Sequence, residues 1–270
     1  MSKEQLPLII SAQQLEQQLQ NSTHKILLVD MGSPSSYIQH HIPTAVFLDY
    51  SWIVRIDPPR MGLLPDENQL NTVLTALGLT SDTHIIAYDD EGGGRACRLL
   101  WTLETIGHQH YSLLDGGIQN WMANNHTVTN KVLYPTPCDA SNEFQSTIID
   151  NPLADQSFIL KHLNDPDVVI LDTRSSAEYT GKKAFAERAG HIPGAINWEW
   201  TEAMDKTRNL CLKPQAELTS MLENAGITKD KLVITHCQTH HRSAHTFIVL
   251  KSLGYEKIKG YPGSWSDWGN

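Results

Sequence analysis

Four short runs, Ile26–Val29, Ile85–Tyr88, Val168–Leu171 and Leu232–Thr235, are apolar at nearly every position instead of at every second one. That pattern predicts strands buried on both faces. Between them the apolar residues fall at helical spacing. Leu70, Val73, Leu74 and Leu77 share one face of Gln69–Leu77; Leu218, Met221, Leu222 and Ala225 share one face of Glu217–Ala225; Phe247, Leu250 and Leu253 share one face of Ser243–Leu253. Buried strands separated by helices predict an α/β protein whose sheets are mainly parallel and covered by helices on both faces. Such sheets bind ligands beyond the carboxyl ends of their strands. Cys237 stands just past one of those ends.

The chain also matches itself. At a constant offset of 147, Asp90 falls on Cys237, Arg95 on Arg242, Gly107 on Gly254, Gly116 on Gly263 and Trp121 on Trp268. Upstream, His41-Ile42-Pro43 matches His191-Ile192-Pro193, while Asp30 and Tyr37 match Asp172 and Tyr179. Pairs kept in one order over so long a stretch indicate a duplicated unit. We therefore expect two homologous domains, residues 1–134 and 155–270, joined by a linker over 135–154 that opens with Tyr134-Pro135-Thr136-Pro137 and lacks periodicity. Only the second copy carries the cysteine, since Asp90 takes its place in the first.

A length of 270 residues suits two domains, and 40% hydrophobic with 19% charged residues is enough to build their cores and excludes a disordered chain. Lys and Arg total 21 against 30 acidic residues, a net charge of −9, which argues against a nucleic-acid groove while leaving room for a local basic pocket. No apolar run approaches the roughly 18 residues of a membrane span. The opening Met1-Ser2-Lys3-Glu4-Gln5 lacks the basic segment of a signal peptide, so a cytoplasmic protein without membrane contact is expected. Cys97, Cys138, Cys211 and Cys237 are too scattered for a disulfide framework or a Cys-x-x-Cys zinc site, and neither metal nor cofactor is expected.

The segment from Leu232 to Ser243 passes from a predicted strand into a predicted helix. N–H groups at a helix start carry partial positive charge and favour an anion. Arg242 adds a permanent one. A thiol with an ordinary pKa near about 8.5 should fall in this setting, making Cys237 reactive near neutral pH. The pattern suits attack on sulfur or on phosphorus. A peptidase needs a base and an orienting third residue, which cannot be assigned here. The histidines at 236, 240 and 241 lack a second ligand pair at zinc-finger spacing.

Four segments carry a family resemblance: Leu171-Asp172-Thr173-Arg174, His191 to Asn197, the Cys237–Arg242 loop, and Tyr261-Pro262-Gly263-Ser264-Trp265-Ser266-Asp267-Trp268. Over nearly its whole length the chain resembles the tandem-domain rhodaneses, which are thiosulfate sulfurtransferases. In that family the first domain commonly has Asp where the second has Cys, so the resemblance implies a non-catalytic first domain. It also implies that Cys237 takes the outer sulfur of thiosulfate as a persulfide and passes it to cyanide, a thiol or a sulfur-accepting protein.

The same resemblance sets the site expectations. Gln238, Thr239, His240, His241 and Arg242 form the active-site loop, mainly through their amides. Arg242 either meets the donor's anionic end or fixes the loop through a carboxylate. Asp172 and Arg174 support the loop or form an internal ion pair, and Glu178 stands about where some members carry a further arginine. Trp198 or Trp200 lines an apolar pocket, at least one of them being an ordinary core aromatic. Three alternatives stay open. Cysteine phosphatases have five residues between Cys and Arg where this loop has four; mercaptopyruvate-using relatives have a glycine-rich loop; and a non-catalytic binding protein would leave Cys237 incidental.

Overall fold

The structure is a computed structural model describing residues 6–21, 23–135 and 144–270. Cys138 and residues 136–143 of the expected linker lie outside the described residues. Thirteen strands are defined among those described. In the first half they are β1 (Ile9–Ile10), β2 (Lys25–Asp30), β3 (Val46–Phe47), β4 (Arg55–Asp57), β5 (Arg60–Leu63), β6 (Thr83–Tyr88) and β7 (Tyr111–Leu114). The second half contributes β8 (Val168–Asp172), β9 (Ile196–Asn197), β10 (Met204–Asp205), β11 (Cys211–Leu212), β12 (Leu232–His236) and β13 (Ile258–Gly260).

Two compact units result. The first holds a sheet in the order β1-β7-β6-β2-β3 and the second a sheet in the order β13-β12-β8-β9, and every pairing in both is parallel. The fifth strand of the second sheet survives as a single parallel bridge, Leu153 to Gly260. The expected α/β architecture is therefore the one found. All six residues of β6 are buried, as are four of the five in β12, which is why these segments read as unbroken apolar runs. No described helix is long and apolar enough to cross a membrane.

Sequence repeats reappear as repeated packing. Tyr37 stacks on His41 and Tyr179 on His191, each with ring centroids 3.8 Å apart. Each tyrosine hydroxyl donates to a carbonyl at 2.7 Å, that of Ala45 in the first unit and that of Ala195 in the second. The His-Ile-Pro segments thus tie the short helix that follows β2 or β8 to the start of the next strand, β3 or β9.

Two segments leave their own half of the sequence. The hairpin Val54–Leu64, containing β4 and β5, belongs to the second unit, and Asp205–Leu212 belongs to the first. Within the second unit the hairpin packs on the helix Ser264–Trp268, where the Met61 N–H donates to Ser266 Oγ at 3.1 Å.

Candidate active site

Strand β12 ends at His236, and the chain then turns through Cys237–His241 into the helix Arg242–Ser252. Several bonds hold that turn. The His236 carbonyl accepts from the Thr173 N–H at 2.9 Å, and the Cys237 carbonyl accepts from the Trp265 N–H at 2.9 Å. The Cys237 N–H donates to Ser264 Oγ at 3.3 Å, and the Gln238 carbonyl accepts from the Ser266 N–H at 3.0 Å. Gln238 Nε2 reaches back to the Phe185 carbonyl at 3.2 Å. The segment Ser264-Trp265-Ser266, seen in the sequence only as part of a family signature, is therefore the brace under the cysteine loop.

Gly62 of β5 lies against the same loop. A Cβ placed there would stand 2.1 Å from the Thr239 carbonyl oxygen, so backbone rests on backbone and only glycine fits without displacement. Nothing in the sequence joined Gly62 to Cys237, since the contact depends on a hairpin from the other half of the chain.

Cys237 is 1% exposed. Burial pushes its thiol up, but the Arg242 charge, the Ser243 hydroxyl and the N–H groups of Ser243 and Thr239 together bring it down to about 7. The N–H groups of Thr239 in this turn and Ser243 in the first turn of its helix thus meet a single sulfur, an arrangement in which backbone N–H groups stabilise an anion. Cys97 is the opposite case, buried without such donors and pushed well above the ordinary thiol value.

Arg242 holds Glu178 through two hydrogen bonds, Nη1 to Oε2 at 2.7 Å and Nη2 to Oε1 at 2.8 Å. Glu178 is itself fixed by a capping box with Ser175 at the start of the helix Ser176–Tyr179. Its own burial pushes the carboxyl up, and the Arg242 and Ser175 bonds draw it down to about 2. Of the two roles open to Arg242 in the sequence, the structure displays the carboxylate anchor, and Glu178 is the anchor itself.

Asp172 and Arg174 form a buried ion pair. Arg174 Nε lies 2.9 Å from Oδ1 and Nη2 2.6 Å from Oδ2, while Nη2 also donates to the Gly190 carbonyl at 2.7 Å. The guanidinium lies 4.4 Å over the Trp265 ring. The pair thus sits beneath the loop, with His236 Nε2 3.8 Å from Asp172 Oδ2. Trp198 is buried, its backbone N–H donating to the Asp172 carbonyl at 3.0 Å. Trp200 is half-buried, with its ring 6.0 Å from that of His241 and 5.3 Å from that of His245.

The equivalent loop in the first unit calls for a correction of one residue. Asp30 pairs with Tyr88 in the first sheet as Asp172 pairs with His236 in the second, and the Met31 N–H bonds the Tyr88 carbonyl as the Thr173 N–H bonds that of His236. The residue after Tyr88 is Asp89, so Asp89, and not Asp90, occupies the place of Cys237. The Asp89 carbonyl accepts from the Ile118 N–H at 3.1 Å as that of Cys237 does from Trp265. Its carboxylate accepts from the N–H groups of Glu91 (3.0 Å), Gly93 (2.7 Å), Arg95 (2.9 Å) and Ala96 (3.0 Å). The first loop is one residue longer, and its cradle is filled by its own carboxylate. Asp90 instead accepts from the Ser33 N–H and hydroxyl at 3.0 and 2.7 Å.

Fold and site together define a class: an α/β domain, duplicated, whose second copy presents a thiolate to a cradle of loop amides. The rhodanese-like domain model matches residues 11–124 and 155–270, and the chain belongs to the rhodanese family as a tandem pair. It is 42% identical over 265 residues to the thiosulfate sulfurtransferase of Pseudomonas aeruginosa, covering 98% of this chain and 95% of that protein. It is 30% identical to a sulfur carrier protein of Thermus thermophilus, covering 97% of this chain and 93% of that one. The anaerobic ergothioneine biosynthesis enzyme of Chlorobium limicola shares the fold, with a TM-score of 0.85 at 18% identity over 97% of this chain and 68% of that one.

Proposed function

We propose that this protein is a thiosulfate sulfurtransferase in which Cys237 carries the transferred sulfur as a persulfide. The observation that carries the reading is the buried Cys237 thiol, held at about 7 by Arg242, Ser243 and Thr239. The 42% identical relative named for this activity supports it.

The chemistry proceeds in two displacements. The Cys237 thiolate attacks the outer sulfur of thiosulfate. A bond forms between the two sulfurs, the bond inside thiosulfate breaks, and its electron pair leaves with sulfite. The persulfide stays in the amide cradle. An acceptor nucleophile, cyanide or a thiol, then attacks the outer sulfur, and the electron pair returns to Cys237. Sulfite departs as a stable anion, so no general acid is required. A thiol with a pKa near ambient pH is the best compromise between ionised fraction and nucleophilicity. Arg242, engaged by Glu178, keeps the loop in shape, and the loop amides with the arginine's charge meet the incoming anion.

A loop with four residues between Cys237 and Arg242 closes on one sulfur atom and favours sulfur over phosphate. A cytoplasmic setting, where thiols stay reduced, suits a mechanism that starts from free Cys237.

The test is direct. After incubation with thiosulfate, the Cys237 peptide weighed without reductant should gain one sulfur, and Cys237→Ala should form no thiocyanate from thiosulfate and cyanide. Thiocyanate formation by Cys237→Ala at the parent rate would defeat the proposal, and phosphatase activity without the sulfur gain would select the phosphatase reading.

A further inference from the structure

His240 is an odd residue to find at the crown of the loop. It is fully buried, and its backbone is left-handed with φ of 55°, a region uncommon outside glycine and reached by histidine more readily than by most other side chains. Its Nδ1 lies 2.7 Å from Ser243 Oγ, itself fully buried in the first turn of the helix Arg242–Ser252. The Ser243 hydroxyl also reaches the Cys237 sulfur.

A serine hydroxyl has one hydrogen to donate and two lone pairs to accept with. It can donate to His240 Nδ1 or to the sulfur, but not to both. A thiolate is the more strongly hydrogen-bonding acceptor of the two because it is charged. With the hydrogen given to sulfur, the 2.7 Å contact to His240 is a hydrogen bond only if Nδ1 is the donor.

We propose that His240 is a positioning residue for the thiolate: its Nδ1–H donates to Ser243 Oγ and thereby commits the Ser243 hydrogen to Cys237. This inference rests on the reading of Cys237 as the sulfur carrier. The left-handed backbone of His240 is then the conformation that turns its ring inward to Ser243. Other charged or titratable groups of the loop and its surroundings are Arg242 with Glu178 behind it, the Asp172–Arg174–His236 group beneath the loop, and His241 and His245, both beside Trp200. The test variants leave all of them in place.

Two substitutions of the full-length protein separate the hydrogen bond from mere shape. His240→Asn keeps an N–H donor near the Nδ1 position and tolerates positive φ; His240→Leu keeps bulk without a donor. The readout is the pH dependence of Cys237 alkylation by iodoacetamide, which requires no thiosulfate. His240→Leu should raise the inflection by about half a unit to one unit, a roughly threefold to tenfold loss of thiolate below the inflection, while His240→Asn should stay close to the parent. Ser243→Ala should shift in the same direction as His240→Leu. An unchanged inflection in His240→Leu or in Ser243→Ala overturns the proposal.

Should His240→Leu fail to fold, nitrogen NMR of the parent decides the matter. A proton on His240 Nδ1 supports the proposal, and an unprotonated Nδ1 overturns it. Inflections that move as expected in a protein that transfers no sulfur would support the relay and defeat the sulfurtransferase reading.

Discussion

Glu178 and Arg242, 64 positions apart in the chain, face each other through two hydrogen bonds of 2.7 and 2.8 Å, with the carboxylate side chain only 4% exposed. Removing one member of a buried pair strands the other charge. Glu178→Ala should therefore lower the stability of the fold by about 3 kcal/mol in chemical denaturation. The pH dependence has a definite sign. The Glu178 carboxyl lies at about 2 in the fold against an ordinary 4.5, so the pair's contribution is complete above 4.5 and is lost as pH falls through 2. Glu178→Gln should lack that part of the acid slope; an identical slope would show that the pair contributes nothing.

Cys237 alkylation should accelerate as pH rises through about 7, while Cys211, pushed up to about 12 first by burial and then by Asp115, stays unlabelled at neutral pH. Arg242→Gln removes the first of the influences that lower the Cys237 thiol and should raise its inflection by about one unit, equivalent to ~1.4 kcal/mol. Peptide mass mapping after brief iodoacetamide treatment measures both. Equal labelling of Cys237 and Cys211 at pH 7 would contradict the site as described.

At Gly62 even one methyl group meets the Thr239 carbonyl oxygen at 2.1 Å. Thr239 supplies one of the N–H groups that favour the thiolate. Gly62→Ala should accordingly displace this peptide and slow sulfur transfer about tenfold or more, as misplacement by a fraction of an ångström does in a preorganised site. Steady-state kinetics on protein of unchanged circular dichroism decides it; a parent rate would mean that the hairpin moves aside freely.

Asp89 answers four backbone N–H groups in the first loop. Asp89→Ala leaves those donors without their acceptor and should destabilise the fold by about 2–4 kcal/mol, visible as an earlier thermal transition. The Cys237 alkylation inflection should not move, because the influences that lower that thiol come from Arg242, Ser243 and Thr239 of its own loop and helix. A change in the inflection would tie the two loops together.

Much of this was readable from the residues. Strand β6 is buried throughout and β12 at all but its first residue, so both appear in the sequence as apolar runs. The Cys237–Arg242 loop was legible because an isolated cysteine and arginine between a strand and a helix have few other uses. Glu178 was half legible. Ser175-Ser176-Ala177-Glu178 has the form of a capping box, which explains the helix start but not the arginine that the carboxylate also holds. The one-residue error at Asp90 has a plain cause: identities at Arg95 and Gly116 fix an offset on the far side of the loop, and an extra residue inside a glycine-rich turn leaves no mark in that comparison.

The order of apolar strands and amphipathic helices, the duplication and the loop cysteine that the second copy has and the first lacks were determined by the sequence alone, since each follows from local spacing or from matching one half against the other. Only the tertiary structure decided that Asp89 fills the first cradle, that Arg242 rests on Glu178, and that Gly62 abuts Thr239. Those three are contacts set by strand register and by a hairpin crossing to the other unit, and a register or a crossing is a relation between distant backbones that no local pattern encodes.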